Sequence, residues 1–202
     1  MASSLKSGLS MRHFWAVMHR RIPGLHRSVL ALVLLLCGTQ AAAAAGSIES
    51  DYSRHDYERC HKLSDDDPIM ERRCAGHGGI PLTWVSEPDS SSVSFGTDGA
   101  VGGEFDKRFT FAVAGNVIEW RGPVEKGRVV PYAAIVRYQL CSAIGGPCAP
   151  ELVVYRLNGT RSSCIAATVN GRRADANLRA RELADTVARD FDCEKGRAHV
   201  ME

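Results

Sequence analysis

The cysteines constrain this chain more than any other feature. Cys60, Cys74, Cys141, Cys148, Cys164 and Cys193 follow a seventh, Cys37, that lies in an apolar run near the start. In a reducing compartment such thiols point to metal or redox chemistry. In an exported chain an even set points to disulfide staples. The compartment therefore decides which folds are open.

The N-terminal segment reads as an export signal. Arg20, Arg21 and Arg27 form a basic flank, and no acidic residue precedes Glu49. The run VLALVLLLC at 29–37 then leads into GTQAAAAAGS. A basic flank, a short apolar stretch and an Ala-x-Ala site define a secretory signal peptide over 1–45, cleaved near Ala45. The run falls short of the roughly 20 residues a membrane helix needs, so no membrane span is expected after cleavage. A lipoprotein would need a small residue before Cys37, and Leu36 stands there. Initiation at Met11 or Met18 would give a more ordinary basic region. The expected destination is the periplasm or exterior of a Gram-negative bacterium.

Cleavage reverses the charge. The chain carries 25 Lys and Arg against 23 Asp and Glu; losing Lys6, Arg12, Arg20, Arg21 and Arg27 leaves 20 against 23, a net charge of −3. No basic footprint for nucleic acid or anionic lipid remains. The mature chain is long enough for one domain with a real core. Residues 46–57 are polar and expected to be loosely ordered, 58–195 form a single α+β domain, and 196–202 are a tail.

Six cysteines allow about 15 connectivities and the sequence alone does not choose among them; proximity along the chain suggests Cys60 with Cys74, Cys141 with Cys148 and Cys164 with Cys193. The stretch ERCHKLSDDDPIMERRCAGH at 58–77 raises a rival: Cys60, His61, Cys74 and His77 are the ligand types tetrahedral Zn²⁺ prefers. Adjacent ligands such as Cys60 and His61 rarely converge on one metal, and an oxidising compartment consumes thiolates. The disulfide is the expected state. The acidic run Asp65-Asp66-Asp67 reads as a solvated turn, since Pro68 and the lack of a central Gly exclude an EF-hand loop.

From Ile80 onward the pattern has period 2. In FTFAVAGNVIEWRG, Gly115-Asn116 is read as a two-residue hairpin turn that sets Phe109, Phe111 and Val113 on one face with Ile118 and Trp120. RVVPYAAIVRYQL at 128–140 is apolar on both faces, as a central strand is, with Pro131 confined to its beginning. ELVVYRL and TRSSCIAATV flank Asn158-Gly159, a strong hairpin signal. IPLTWVS and SSVSFG flank Pro88-Asp89-Ser90 and form a first hairpin. DANLRARELADTVARDF carries small or apolar residues at 176, 180, 183, 184, 187 and 191, a helical stripe, with Asp175 as N-cap. The expected fold is α+β: an antiparallel meander sheet of about seven short strands, one C-terminal helix packed on it, and disulfide staples.

No nucleophile elbow, zinc-protease helix, phosphate loop or haem attachment motif is present, and no cofactor is expected. One polar set stands out. Asn177, Arg181 and Asp185 are i,i+4 neighbours beside the apolar stripe, and Glu119, Arg121 and Arg137 sit in apolar strands. Charges in such places need partners, so a Glu119–Arg137 ion pair is one expectation. The other makes Arg121, Arg137 and Arg181 a pocket for an anion.

The same residues carry a resemblance. VIEWRG, AAIVRY, a strand with SSC, then DANLRARELAD and FDC resemble a group of uncharacterised exported proteins of alphaproteobacteria, across about 60–193. The resemblance implies export and a shared fold but no activity. It also implies that Cys60–Cys74 and Cys164–Cys193 belong to the common pattern and Cys141–Cys148 is an extra staple.

The resulting expectation is a non-catalytic binding or interaction module whose partner is an envelope protein or a small anionic ligand. Two rivals differ in class. One is a hydrolase-type enzyme with a scattered polar site, at the Glu119 cluster or around His55, His61 and His77. The other is a metal-binding protein using Cys60, His61, Cys74 and His77.

Overall fold

The computed structural model describes residues 47–64, 66, 68–99 and 111–202; the signal segment, Asp65, Asp67 and Phe109 lie outside them. In chain order the strands are β1 (Ile48–Arg54), β2 (His61–Ser64), β3 (Met70–Cys74), β4 (Leu82–Ser86), β5 (Ser91–Phe95), β6 (Phe111–Glu125), β7 (Arg128–Val129), β8 (Ala133–Cys141), β9 (Cys148–Asn158) and β10 (Ser162–Asn170). Helix α1 (Ala176–Thr186) and a last strand, β11 (His199–Met201), complete the chain.

The strands form two sheets. The larger runs β1-β6-β8-β9-β10-β11 with β7 on the end of β6, and the smaller runs β2-β3-β4-β5. Within the larger sheet β11 lies parallel to β10, and the other pairings are antiparallel. The expected sheet-plus-helix architecture is present, with a second sheet covering the face that the helix leaves open.

β8 shows why the layers stack in this order. Its alternating side chains bury on both faces: Ala134, Val136, Tyr138 and Leu140 join the core under the small sheet, and Ala133 and Ile135 join the core under α1. β9 divides the same way, Val153, Tyr155 and Leu157 to one side and Leu152 and Val154 to the other. A strand that is apolar on both faces must be covered on both. The inter-sheet core holds Trp120 and Phe95, both 0% exposed, edge-on with ring centroids 5.3 Å apart. The helix side uses alanines, so α1 sits close to the sheet.

β5 ends the small sheet, yet its amides are satisfied by hydroxyls from the large one. Val93 N–H donates to Tyr138 Oη and Phe95 N–H to Ser163 Oγ, each at 3.0 Å. Buried donors must find acceptors, and here side chains replace a neighbouring strand.

Three expectations are corrected. No hairpin forms at Gly115-Asn116: β6 continues as one 15-residue strand, and a bulge carries its pairing with β8 from Ala114↔Tyr138 to Ile118↔Val136. The bulge adds two residues to β6, an even number, so facing is preserved through it. Ile118 and Trp120 are buried as expected, but Ala112 and Ala114 share their core while Val113 is exposed. Gly115 permits this, because a Cβ there would lie 2.6 Å from Arg137 O. Second, most of the segment expected to be loose is edge strand β1, in register with β6 from Ile48↔Pro123 to Arg54↔Val117. Third, the tail contains β11, paired in parallel with β10.

The turn and strand readings for β4, β5, β8, β9 and β10 hold. Hairpins join β4 to β5 and β9 to β10, and β8 begins after Pro131. The disulfides are Cys60–Cys74, Cys141–Cys148 and Cys164–Cys193. The second joins register partners of β8 and β9, and the third ties the end of the helical region to β10. No helix among the described residues is long and apolar enough to cross a membrane.

Candidate functional site

The helix presents its stripe as the periodicity requires: Ala176, Ala180, Leu183 and Ala184 are buried, with Val187 and Phe191 packed at the margin. Asp175 occupies the N-cap position without capping. Its carboxylate instead takes Arg173 and Arg179, each Nε 3.0 Å away.

Beside the stripe, the predicted polar set assembles as three rungs between sheet and helix. Arg137 Nη2 donates to Asn177 Oδ1 at 3.0 Å. Arg181 Nε donates to Glu119 Oε1 at 2.6 Å, and Arg181 Nη2 to Tyr52 Oη at 2.8 Å. Arg121 grips Asp185 with two parallel bonds, Nε to Oδ1 at 2.9 Å and Nη2 to Oδ2 at 2.7 Å. Ser50 links the last two rungs, donating to Glu119 Oε1 at 2.5 Å and accepting from Arg121 Nη1 at 3.2 Å. All six predicted residues therefore meet the α1–sheet seam, at the i,i+4 spacing of the helix.

The pairing differs from the expected one. Glu119 faces Ile135 across the β6–β8 ladder, and the helix sets Arg181 above it. The Glu119–Arg137 ion pair is replaced by Glu119–Arg181. At 8% exposure Glu119 needs such partners, because an unpaired buried charge is costly. The electrostatics follow the geometry. Its hydrogen bond with Asp185 raises the Arg121 guanidinium above its usual range, against the opposing effect of burial. Burial pushes the Asp185 carboxyl up, but hydrogen bonds from Arg121 and Tyr132 outweigh it and hold that group below the ordinary carboxylate value. Tyr132 Oη lies 2.7 Å from Asp185 Oδ1, with the Arg189 guanidinium over the Tyr132 ring.

Arg137 is the exception. Its side-chain partner is a neutral amide, and among the described residues no carboxylate lies within ion-pair distance of it. It lines a cavity of about 430 Å³ together with Val113, Val117, Ile135, Leu152 and Asn177 among others. Val113 and Val117, 43% and 38% exposed, are large apolar side chains open to solvent.

The histidines do other work. His77 Nε2–H donates to Val129 O at 3.0 Å, and its Nδ1 lies 3.3 Å from Asp51 Oδ2, bridging β1 and β7 beside a second cleft. Trp120 Nε1–H donates to Ser53 Oγ and Ser53 meets His55 Nε2, both at 2.7 Å. A Ser–His contact of this length resembles a nucleophile and its base. Here Ser53 already serves the indole, whose buried N–H needs an acceptor. Burial holds the His55 imidazole below its ordinary value. The zinc reading is overturned at its sulfurs: Cys60 and Cys74 are bonded to each other, and His61 is exposed on β2.

Sequence reasoning missed Ser50, Tyr52 and Tyr132, which complete the rungs. The period-2 spacing of Ser50 and Tyr52 is the available signal, and the polar composition of residues 46–57 hides it. Comparison with protein-family models, with curated proteins and with solved structures returns no match to this chain.

Proposed function

We propose that this chain is an exported, periplasmic binding protein, held rigid by three disulfides, that recognises its ligand at the cavity beside α1. The observation that carries the reading is the contrast within one polar set. Glu119, Arg121, Arg181 and Asp185 saturate one another, whereas Arg137 faces an apolar-walled cavity with only an amide for company. Paired groups build a wall; a guanidinium without a carboxylate, beside open valines, is a recognition element. Disulfides support the oxidising compartment, and the resemblance to exported proteins agrees with it. A removable leader ending near Ala45 completes the reading.

The test is retention. Protein purified oxidised from the periplasm, incubated with periplasmic extract and denatured, should release a small molecule detectable by mass spectrometry. Filling the cavity with Val117→Trp should abolish its recovery. A catalytic turnover lost on changing one residue of the polar set would overturn the proposal.

A further inference from the structure

We infer that the cavity takes a small amphipathic monocarboxylate, its headgroup on Arg137 and its apolar body against Val113, Val117, Ile135 and Leu152; the inference rests on the binding reading above and names its ligand class.

Charge sets the headgroup. The polar set contains Arg121, Arg137 and Arg181 against Glu119 and Asp185, so one positive charge is uncompensated. Geometry assigns it to Arg137, since the other two guanidiniums hold the two carboxylates directly. A single anionic charge fits. A dianion would place its second charge toward Glu119, which lines the same cavity. Glu119 does not quench Arg137, because its oxygens are engaged by Ser50 and Arg181.

Shape sets the rest. A guanidinium is a planar fork of donors that matches a carboxylate in two parallel bonds. Arg137 is held for that role from two sides. Asn177 accepts from Nη2, and Gly171 lets the backbone pass close, since a Cβ there would stand 2.9 Å from Arg137 Nη1. The walls beside Arg137 are mostly apolar, with Val113, Val117, Ile135 and Leu152 among them, and Tyr52, Asn116 and Gln139 add polar groups. The volume of about 430 Å³ falls within the roughly 300–1,000 Å³ usual for small-ligand sites.

The experiment is calorimetric titration of the oxidised periplasmic protein with decanoate and with 1-decanol. Decanoate should saturate one site, and Arg137→Gln should weaken it at least tenfold while leaving decanol unchanged. Asn177→Asp is the second variant. It is isosteric, lies at an exposed position, and supplies Arg137 with an internal carboxylate, so it too should weaken decanoate at least tenfold. Thermal melts confirm that each variant is folded. Equal binding of decanoate and decanol, unmoved by either variant, would overturn the carboxylate anchor while leaving the binding site standing. Absence of both from the native protein would overturn the ligand class. The extract experiment then decides separately whether the cavity binds anything at all.

Discussion

Tyr138 shows what one buried hydroxyl does in this core. It accepts from Val93 N–H, meets Tyr155 Oη at 2.8 Å, and so links an edge amide of the small sheet to the centre of the large one. Burial pushes its phenol up to about 12, so the group stays neutral wherever the protein works. Replacing it with Phe keeps the ring but leaves the buried Val93 amide without its acceptor. Leaving such a group unmet costs about 1–3 kcal/mol. Tyr138→Phe should lower the unfolding free energy by that amount, read as an earlier urea midpoint with an unchanged slope. A loss well below that would mean that the edge amide finds another acceptor. None of these partnerships was legible locally: Tyr138 and Val93 are 45 residues apart, and the sequence marks Tyr138 only as an apolar strand position.

At the scale of elements, α1 is held by an apolar stripe and by three polar rungs. The stripe was legible because helical periodicity is a property of consecutive residues. The rungs were legible as a set, but their pairing was not, since it depends on where the helix lands along the sheet. The Arg121–Asp185 rung has a defined pH signature. The Asp185 carboxyl is lowered from 3.8 on folding, so its contribution is complete above that unfolded value and is lost as pH falls through the lower folded value. Asp185→Asn leaves Arg121 without its charged partner and should cost about 2 kcal/mol at neutral pH. Acid unfolding monitored by circular dichroism should show the gap between native and variant narrowing as pH drops below 3.8. A gap independent of pH would show that the carboxylate charge is irrelevant there. β6 teaches the converse lesson. Gly115-Asn116 has hairpin chemistry, but β8 pairs with both halves of the strand and β1 with the second, and that long-range pairing converts a turn into a bulge.

At the scale of the whole folded domain, one large sheet is covered on one face by a helix and on the other by a smaller sheet, with a staple in each region. Cys164–Cys193 closes the longest span, 29 residues. Chain-entropy reasoning gives it about 3–4 kcal/mol. The double substitution Cys164→Ser, Cys193→Ser should therefore reduce unfolding free energy by roughly that amount, and more than the matching change at Cys141 and Cys148, whose loop is shorter and whose strands are already in register. Chemical denaturation of both variants orders the two effects. A thiol count on protein purified without reductant, under denaturing, non-reducing conditions, should find no free sulfhydryl among the six cysteines from Cys60 to Cys193.

The sequence by itself determined what depends on neighbours along the chain: the helical stripe, the two hairpin turns with their Pro-Asp and Asn-Gly chemistry and the doubly apolar central strand, while chain proximity only suggested the cysteine pairs that the fold then forms. Turn geometry, side-chain period and loop closure act over a few residues, so a linear reading captures them. Only the tertiary structure decided that β6 runs straight through Gly115, that residues 48–54 and 199–201 complete the large sheet, that Glu119 takes Arg181, and that Arg137 is left facing a cavity. Each of these turns on which distant groups compete for the same hydrogen bonds and buried surface, and that competition is settled only when the layers close on one another.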